Sequence, residues 1–499
     1  MIKAAPLIII PILFSICDSM GQDFDSELNA ISENYNLVGL ATGVRCNGEI
    51  VGEHYSGLRN IEAGLPVDEN TRFRIASISK AFTAAGLLAL HDEGNFDLDD
   101  DISNALGYEV VNPSHPDTPI TYRMLLSHQS SLQDGSGYTP FLESTYSTFP
   151  VPNISEVILP DGSFYTENMW RTEEPGTYFA YSNLNYGLIG TLVEAISGTR
   201  FDSYIEQQIL QPLGIEGSFD VSELENIENL AVLYRDNTPQ ADNYNGENPD
   251  SPITGFYTPG TNGSLFAPQG GLRCSLSELL NFGEMLVNNG SFEGQQILDP
   301  ETAALMLSDQ WTYDQSNGDS YFGLFTSWGL GIHRAGNTGA GSQIIPGEIV
   351  YGHPGEAYGL ISDLYVHPNS GLVLAFITNG YSSGGGYPFG DSTEFYAPEE
   401  DAFEVIYEFF WEDCNQPTGV YEPGRTNFCD KITYNSESEI LKLPEENFPV
   451  EIGVIDVGGK RLDQGQYFQQ VIKLNTPKGI SVVEVTTDDY RCVFRTFSP

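Results

Sequence analysis

Lysine is almost missing from this sequence: between Lys3 and Lys431 the chain contains one, Lys80. Basic residues of both kinds number 21 against 69 acidic ones, a formal charge of −48. Such a chain repels nucleic acid and anionic membrane surfaces, so neither is expected as a partner. The acidity reads as a solvated surface that keeps the protein soluble. Neither CxxC nor HExxH occurs, which leaves zinc-ribbon and zincin chemistry without support. No metal and no organic cofactor is expected. No apolar run is long enough to span a bilayer, and no internal repeat indicates a solenoid.

What is present suffices for a sizeable core: 40% hydrophobic and 12% aromatic residues in 499. Lys3 precedes an apolar run, Pro6 to Ile16, too short for a membrane span and suited to the core of a signal peptide. Ser19 and Gly21 supply the small residues of a cleavage site, so residues 1–21 are expected to be removed on export. Five cysteines then remain, and an odd number leaves at least one unpaired. Cys414 and Cys429 flank a Pro/Gly-containing loop and are the expected disulfide partners in an oxidising compartment.

Two alternating runs from Val38 to Gly57 meet at Asn47-Gly48, a dipeptide that tolerates the positive φ of a type I′ hairpin. From Ser77 to about His91 the apolar spacing becomes helical. Further helices are expected over Tyr186 to Ser197 and Leu276 to Asn288, within a loop-rich stretch from about 106 to 318. Strand patterns return at Tyr358 to Val366 and Leu372 to Thr378, and a helix from Pro398 to Trp411 closes the unit. A sheet assembled from both ends of residues 22–413, with helices inserted between, is an α+β plan. Residues 414–430 read as a linker. Residues 431–499 alternate in short runs, as in a small β-sandwich-like module.

The chemistry concentrates around Ser77-Ile78-Ser79-Lys80. Positions i and i+3 of a helix share a face, so the Lys80 amine is expected beside the Ser77 hydroxyl. A serine hydroxyl is a weak nucleophile until a neighbouring base takes its proton, and a buried amine can be that base. Tyr181-Ser182-Asn183 precedes a helix. A phenol whose ordinary pKa is about 10 can fall beside lysine and move a proton, and Asn183 can hold the amine and a substrate carbonyl or amide. His353-Pro354-Gly355 stands before the strand Tyr358 to Val366, where a glycine allows substrate to approach the backbone.

The three motifs in this order, with Phe73 to Ala84 around the serine, resemble class C β-lactamases and related DD-peptidases and esterases over about residues 25–413. The resemblance implies a β-lactamase/transpeptidase-like antiparallel sheet flanked by helices. It makes Ser77 the nucleophile, Lys80 and Tyr181 its proton carriers, Asn183, His353 and Gly355 substrate-binding residues, and the main-chain N–H groups of Ser77 and Glu356 the oxyanion hole. The third motif departs from the lactamase pattern: His353 and Pro354 stand where lysine and threonine would, so efficient β-lactam hydrolysis is not expected.

Leu125 to His128 and Gly270 to Leu272 look family-like and read as packing and loop-shaping elements. Asp97 to Asp100 reads as a solvated turn. Ile455 to Leu462 and Pro477 to Ile480 resemble a type IX secretion sorting domain, which implies that machinery as a partner of residues 431–499. A secreted or cell-surface location follows, with the periplasm as the alternative. Gly380 to Gly384 also fits GxSxG, but neither a helix pattern nor a later histidine follows it, so Ser382 is not the expected nucleophile. The expected function is hydrolysis of a small-molecule ester, amide or lactam through an acyl-serine. The nearest alternatives are a DD-carboxypeptidase or weak β-lactamase, and, in another class, a non-catalytic binding protein on the same scaffold.

Overall fold

The computed structural model describes residues 14–251, 257–337, 341–382 and 384–415, and beyond them the backbone of seven strands between 433 and 498. Side chains are described from 24 to 415. Two compact units result, Met1–Cys414 and Asn415–Pro499. In the first, α1 (Phe14–Asn34) leads into the hairpin of β1 (Gly39–Cys46) and β2 (Glu49–Asn60), followed by β3 (Leu65–Pro66). The hairpin turns on Asn47 and Gly48, with φ of 50° and 87°, the pair of positive values that a type I′ turn requires.

After α2 (Ser79–Asp92), the chain makes a lobe of short helices that includes α3 (Asn183–Ser197) and α4 (Leu276–Val287). It then returns as β4 (Trp311–Thr312), β5 (Ser327–Trp328), β6 (His333–Ala335), β7 (Val350–Ala357), β8 (Leu360–His367) and β9 (Leu372–Thr378), and closes with α5 (Ala397–Cys414). The nine strands lie in the order β4-β5-β6-β7-β8-β9-β1-β2-β3. Strand β9 therefore pairs antiparallel with β1, Leu40 opposite Thr378 and Cys46 opposite Leu372, joining the two ends of the unit. This is the α+β sheet expected, with its helical lobe inserted between strands.

Period-2 alternation serves two cores at once. Along β9, Val373, Ala375 and Ile377 face the core that holds α2, α3 and α4. Leu372, Leu374 and Phe376 face the one built with α1 and α5. A strand buried on both faces needs an unbroken apolar run, and Leu372 to Ile377 supplies it. Helix α4 starts with a capping box, Ser275 and Glu278 each accepting from the other's backbone N–H.

Three expectations change. Ser77 does not begin an α-helix. It sits in a 3-10 turn, Ala76–Ile78, ahead of α2. The third motif does not precede its strand but lies inside β7, because the turn that divides β7 from β8 falls at Tyr358 and Gly359. And Cys414 pairs with Cys46, Cα to Cα 5.2 Å, across a sequence separation of 368. The last residue of β1 and the last of α5 share the second core, a proximity that no local spacing signals. Cys274 is free and buried, and Cys429 lies outside the described residues.

Among its described residues the second unit has two sheets, one of three strands and one of four whose order places 450–456 between 461–467 and 479–486. The expected linker from 416 on, residues 457–460 and 477–478 of the sorting-domain resemblance, and residues 1–13 of the expected signal peptide lie outside the described residues. Residues 14–21 belong to α1.

A bridge that closes a loop this long constrains the unfolded chain strongly. Cys414→Ser is expected to lower stability by about 2–4 kcal/mol in denaturant unfolding under oxidising conditions. Non-reducing peptide mapping should recover a Cys46–Cys414 linkage.

Candidate active site

Lys80 is wholly buried on the first turn of α2. Its Nζ donates three hydrogen bonds: to Ser77 Oγ at 3.0 Å, to Asn183 Oδ1 at 2.9 Å and to the Gln269 main-chain oxygen at 2.7 Å. An ammonium has three donors, so all are used. It also lies over the rings of Tyr181 and Tyr186, 4.9 and 5.5 Å from their centroids. Burial pulls the lysine down to about 7, against an opposing push from Asp134. The amine is thus a base near neutral pH, as a proton acceptor for serine must be.

The Tyr181 phenol is within hydrogen-bonding reach of Ser77. Here the structure reverses an expectation: burial raises the phenol well above its usual range, and the bond from Ser77 offsets this only in part. Tyr181 is therefore a neutral phenol at rest, able to relay and donate a proton, and Lys80 is the group suited to accept one.

Ser77 itself is partly exposed, at the junction of two arms of one cleft, about 780 and 340 Å³. Asn183 and Glu356 border both arms, whereas Tyr181 and Gly355 border only the smaller. The residue before the serine, Ala76, has φ of 43°, a left-handed conformation that costs a non-glycine residue about 1 kcal/mol or more. It persists because the turn is braced: Ser362 Oγ donates to the Ile75 oxygen at 3.1 Å and Ile75 N–H to the Leu272 oxygen at 3.0 Å.

Strand β7 runs directly alongside. A Cβ on Gly355 would meet the Ile75 oxygen at 2.7 Å and would clash with Ser362 Oγ. The glycine of the third motif is thus required by close packing against the serine turn. His353 Nδ1 lies 2.6 Å from the Pro354 oxygen, and the side chain is 1% exposed among Trp328 and Tyr181. It borders neither arm of the cleft, and burial holds it well below its usual range. His353 is therefore a neutral wall residue behind the site, not the substrate contact expected.

Asp134 was not legible in the sequence. Its two oxygens accept from the Ser182 hydroxyl (2.9 Å), the Asn183 N–H (3.0 Å) and the Leu184 N–H (2.9 Å), capping α3, and from Asn183 Nδ2 at 2.8 Å. That last bond turns the Asn183 oxygen toward Lys80. The only local hint was an aspartate before a glycine in a loop. Buried His128, with φ of 56°, accepts from the Ser182 N–H at 3.1 Å and stacks obliquely on Tyr181, 4.6 Å between centroids. Leu125 to His128 does shape the site by packing. Gly270 does the same, its oxygen accepting from Arg74 at 2.9 Å. Asp97 to Asp100 is a turn closed by the Asp97 N–H on Asp100. Ser382 binds the Asn36 main chain and borders neither arm of the cleft, and among the described residues the next helix begins only at Ala397.

A serine turn, a buried amine, a phenol and a strand edge converge in one cleft, and the sequence profile of the Beta-lactamase family matches residues 24–391. The chain belongs to the beta-lactamase family. Among its relatives, Penicillin-binding protein 4 of Amycolatopsis lactamdurans is 24% identical over 364 residues, 72% of this chain and 84% of that protein. Solved structures that share the fold include two hydrolases. D-amino acid amidase from Ochrobactrum anthropi SV3 has a TM-score of 0.56 at 21% identity, covering 79% of this chain and 99% of its own. The hydrolase EstCE1 has a TM-score of 0.57 at 19% identity, covering 79% and 100%. Membership of the beta-lactamase family makes the protein a serine hydrolase; which bond it cuts is a separate question.

Because Lys80 must be neutral to accept a proton and its pKa is about 7, kcat/KM should fall about tenfold per pH unit below that value and level off above it. The negative charge of Asp134 raises the lysine. Asp134→Asn should therefore move this acid limb to lower pH as well as slow turnover, whereas a purely structural residue would leave the limb in place. A pH–rate profile on an activated ester measures both.

Proposed function

We propose that this is an exported serine hydrolase that cleaves a small-molecule ester or amide through an acyl-enzyme on Ser77. The observation that carries the reading is the Ser77, Lys80 and Tyr181 cluster at the open junction of the cleft. Lys80 takes the serine proton, and the Oγ–carbon bond forms. The main-chain N–H groups of Ser77 and Glu356 stabilise the oxyanion. The bond to the leaving group then breaks as Tyr181 supplies its proton, and the tyrosine is reprotonated through Lys80. Water, deprotonated by the same amine, releases the acid and restores the serine.

The neutral, inward-facing His353 supports ester and amide substrates over β-lactams and carboxylate-terminated peptides, since no cation stands at that position of the strand to hold a substrate carboxylate. The D-amino acid amidase and the hydrolase with promiscuous acyltransferase activity that share the fold favour the same side. Export is supported by the signal-like residues 1–21 and by the Cys46–Cys414 bridge, a bond suited to an oxidising compartment. Residues 431–499, with their resemblance to a sorting domain, are the segment assigned to the type IX machinery, which would set the protein outside the cell or on its surface.

A fluorophosphonate probe should add one adduct per chain, mapped to Ser77 by mass spectrometry, and Ser77→Ala should abolish it. The same variant should lower p-nitrophenyl butyrate turnover by about a thousandfold or more. An unlabelled wild-type protein would instead indicate a binding protein on this scaffold.

A further inference from the structure

The two arms of the cleft differ in character on either side of Ser77. The larger is bordered by three arginines, Arg74, Arg235 and Arg273, the last paired with Asp242 at 2.8 Å. The smaller has no arginine, lysine or histidine among its described lining residues; it has carboxylates and aromatic rings. Glu356, Glu394 and Glu399 face it. Glu399 is 3% exposed, and its carboxylate accepts the Tyr396 N–H at 2.7 Å and a bond from the wholly buried Asp363 behind it. Asp363 has no other partner, so burial and its acidic neighbour keep it protonated and make it the donor. Burial also pushes Glu399 up to about 7, so the charge it holds at the pocket wall is partial near neutral pH.

The rings line the same pocket in two packed groups. Tyr321 and Tyr181 each lie 5.3 Å from Phe325, and Phe389 stacks on Tyr396, also at 5.3 Å. Tyr396 in turn donates to Glu356 at 3.0 Å. Two of the rim residues are held in left-handed backbone, Tyr321 at φ 53° and Phe322 at φ 63°. Phe322 is 89% and Phe389 64% exposed. Large rings held at a pocket mouth by strained backbone are not explained by core packing. Ring faces with carboxylates behind them are the chemistry that holds an organic cation. A volume of about 340 Å³ admits a trimethylammonium group with a short chain.

Tyr181 borders this arm and not the other. In the mechanism above, which this step assumes, its proton goes to the departing oxygen or nitrogen, so the leaving group lies on this side of the serine. We propose that the aromatic arm is the leaving-group subsite and selects a leaving group that carries an ammonium, quaternary or protonated. The overall charge of −48 would concentrate such cations near the surface.

The test separates binding from turnover by using full-length Ser77→Ala. Calorimetric titration with choline and with its neutral isostere 3,3-dimethylbutanol is expected to show choline binding about tenfold or more tighter. Glu394→Gln and Phe389→Leu, each added to Ser77→Ala and each checked for an unchanged melting curve, should weaken choline severalfold and leave the alcohol nearly unaffected. Equal affinity for the two probes, no choline binding, or choline affinity unmoved by both substitutions would overturn the subsite. In the active enzyme, acetylcholine should exceed 3,3-dimethylbutyl acetate in kcat/KM by a similar factor. If Ser77 proves unreactive while choline still binds selectively, the hydrolase reading fails and the cation subsite stands.

Discussion

Everything at this site depends on one buried amine. Lys80 has no water to solvate it, so its three hydrogen-bond partners must be supplied by protein, and they come from three separated stretches: the serine turn, the start of α3 and the loop at Gln269. The same desolvation that demands those partners pulls the amine down to about 7 and makes it a base. Structural requirement and chemical function are therefore one constraint. A lysine better solvated would be a poorer base, and one less well bonded would destabilise the fold around it.

The surroundings are arranged to keep that amine in place. Asp134 fixes the Asn183 amide so that its oxygen, not its nitrogen, meets Lys80. The braced Ile75–Ala76 turn holds Ser77 at the mouth of the cleft, and Gly355 lets β7 pass close enough to wall it. Those parts belong to β7, β8, α2, α3 and two loops. The sheet order, with β9 beside β1, sets their relative positions.

Much of the fold was legible. The Asn47-Gly48 hairpin, the α2 and α3 stripes and the apolar run of β9 are local patterns, and local patterns survive folding when they agree with the global packing. The boundaries that failed did so for stated reasons. A 3-10 turn has nearly the side-chain spacing of an α-helix, so Ser77 looked helical. The β7–β8 turn at Tyr358-Gly359 carries no paired turn dipeptide, so the third motif was placed ahead of its strand. Disulfide partners cannot be told from spacing when the bond spans 368 positions.

The sequence by itself determined which groups are candidates to react: one serine three positions ahead of the single lysine between Lys3 and Lys431, a tyrosine two ahead of an asparagine, and a glycine in a β-pattern. Residue type and spacing are properties of the chain, and together with the family resemblance they picked out the candidate nucleophile and its neighbours. The protonation state of each group was decided only by the tertiary structure. Burial lowered Lys80, raised Tyr181 and silenced His353, because the desolvation of a charge depends on every atom packed around it and on none of the residues beside it in sequence.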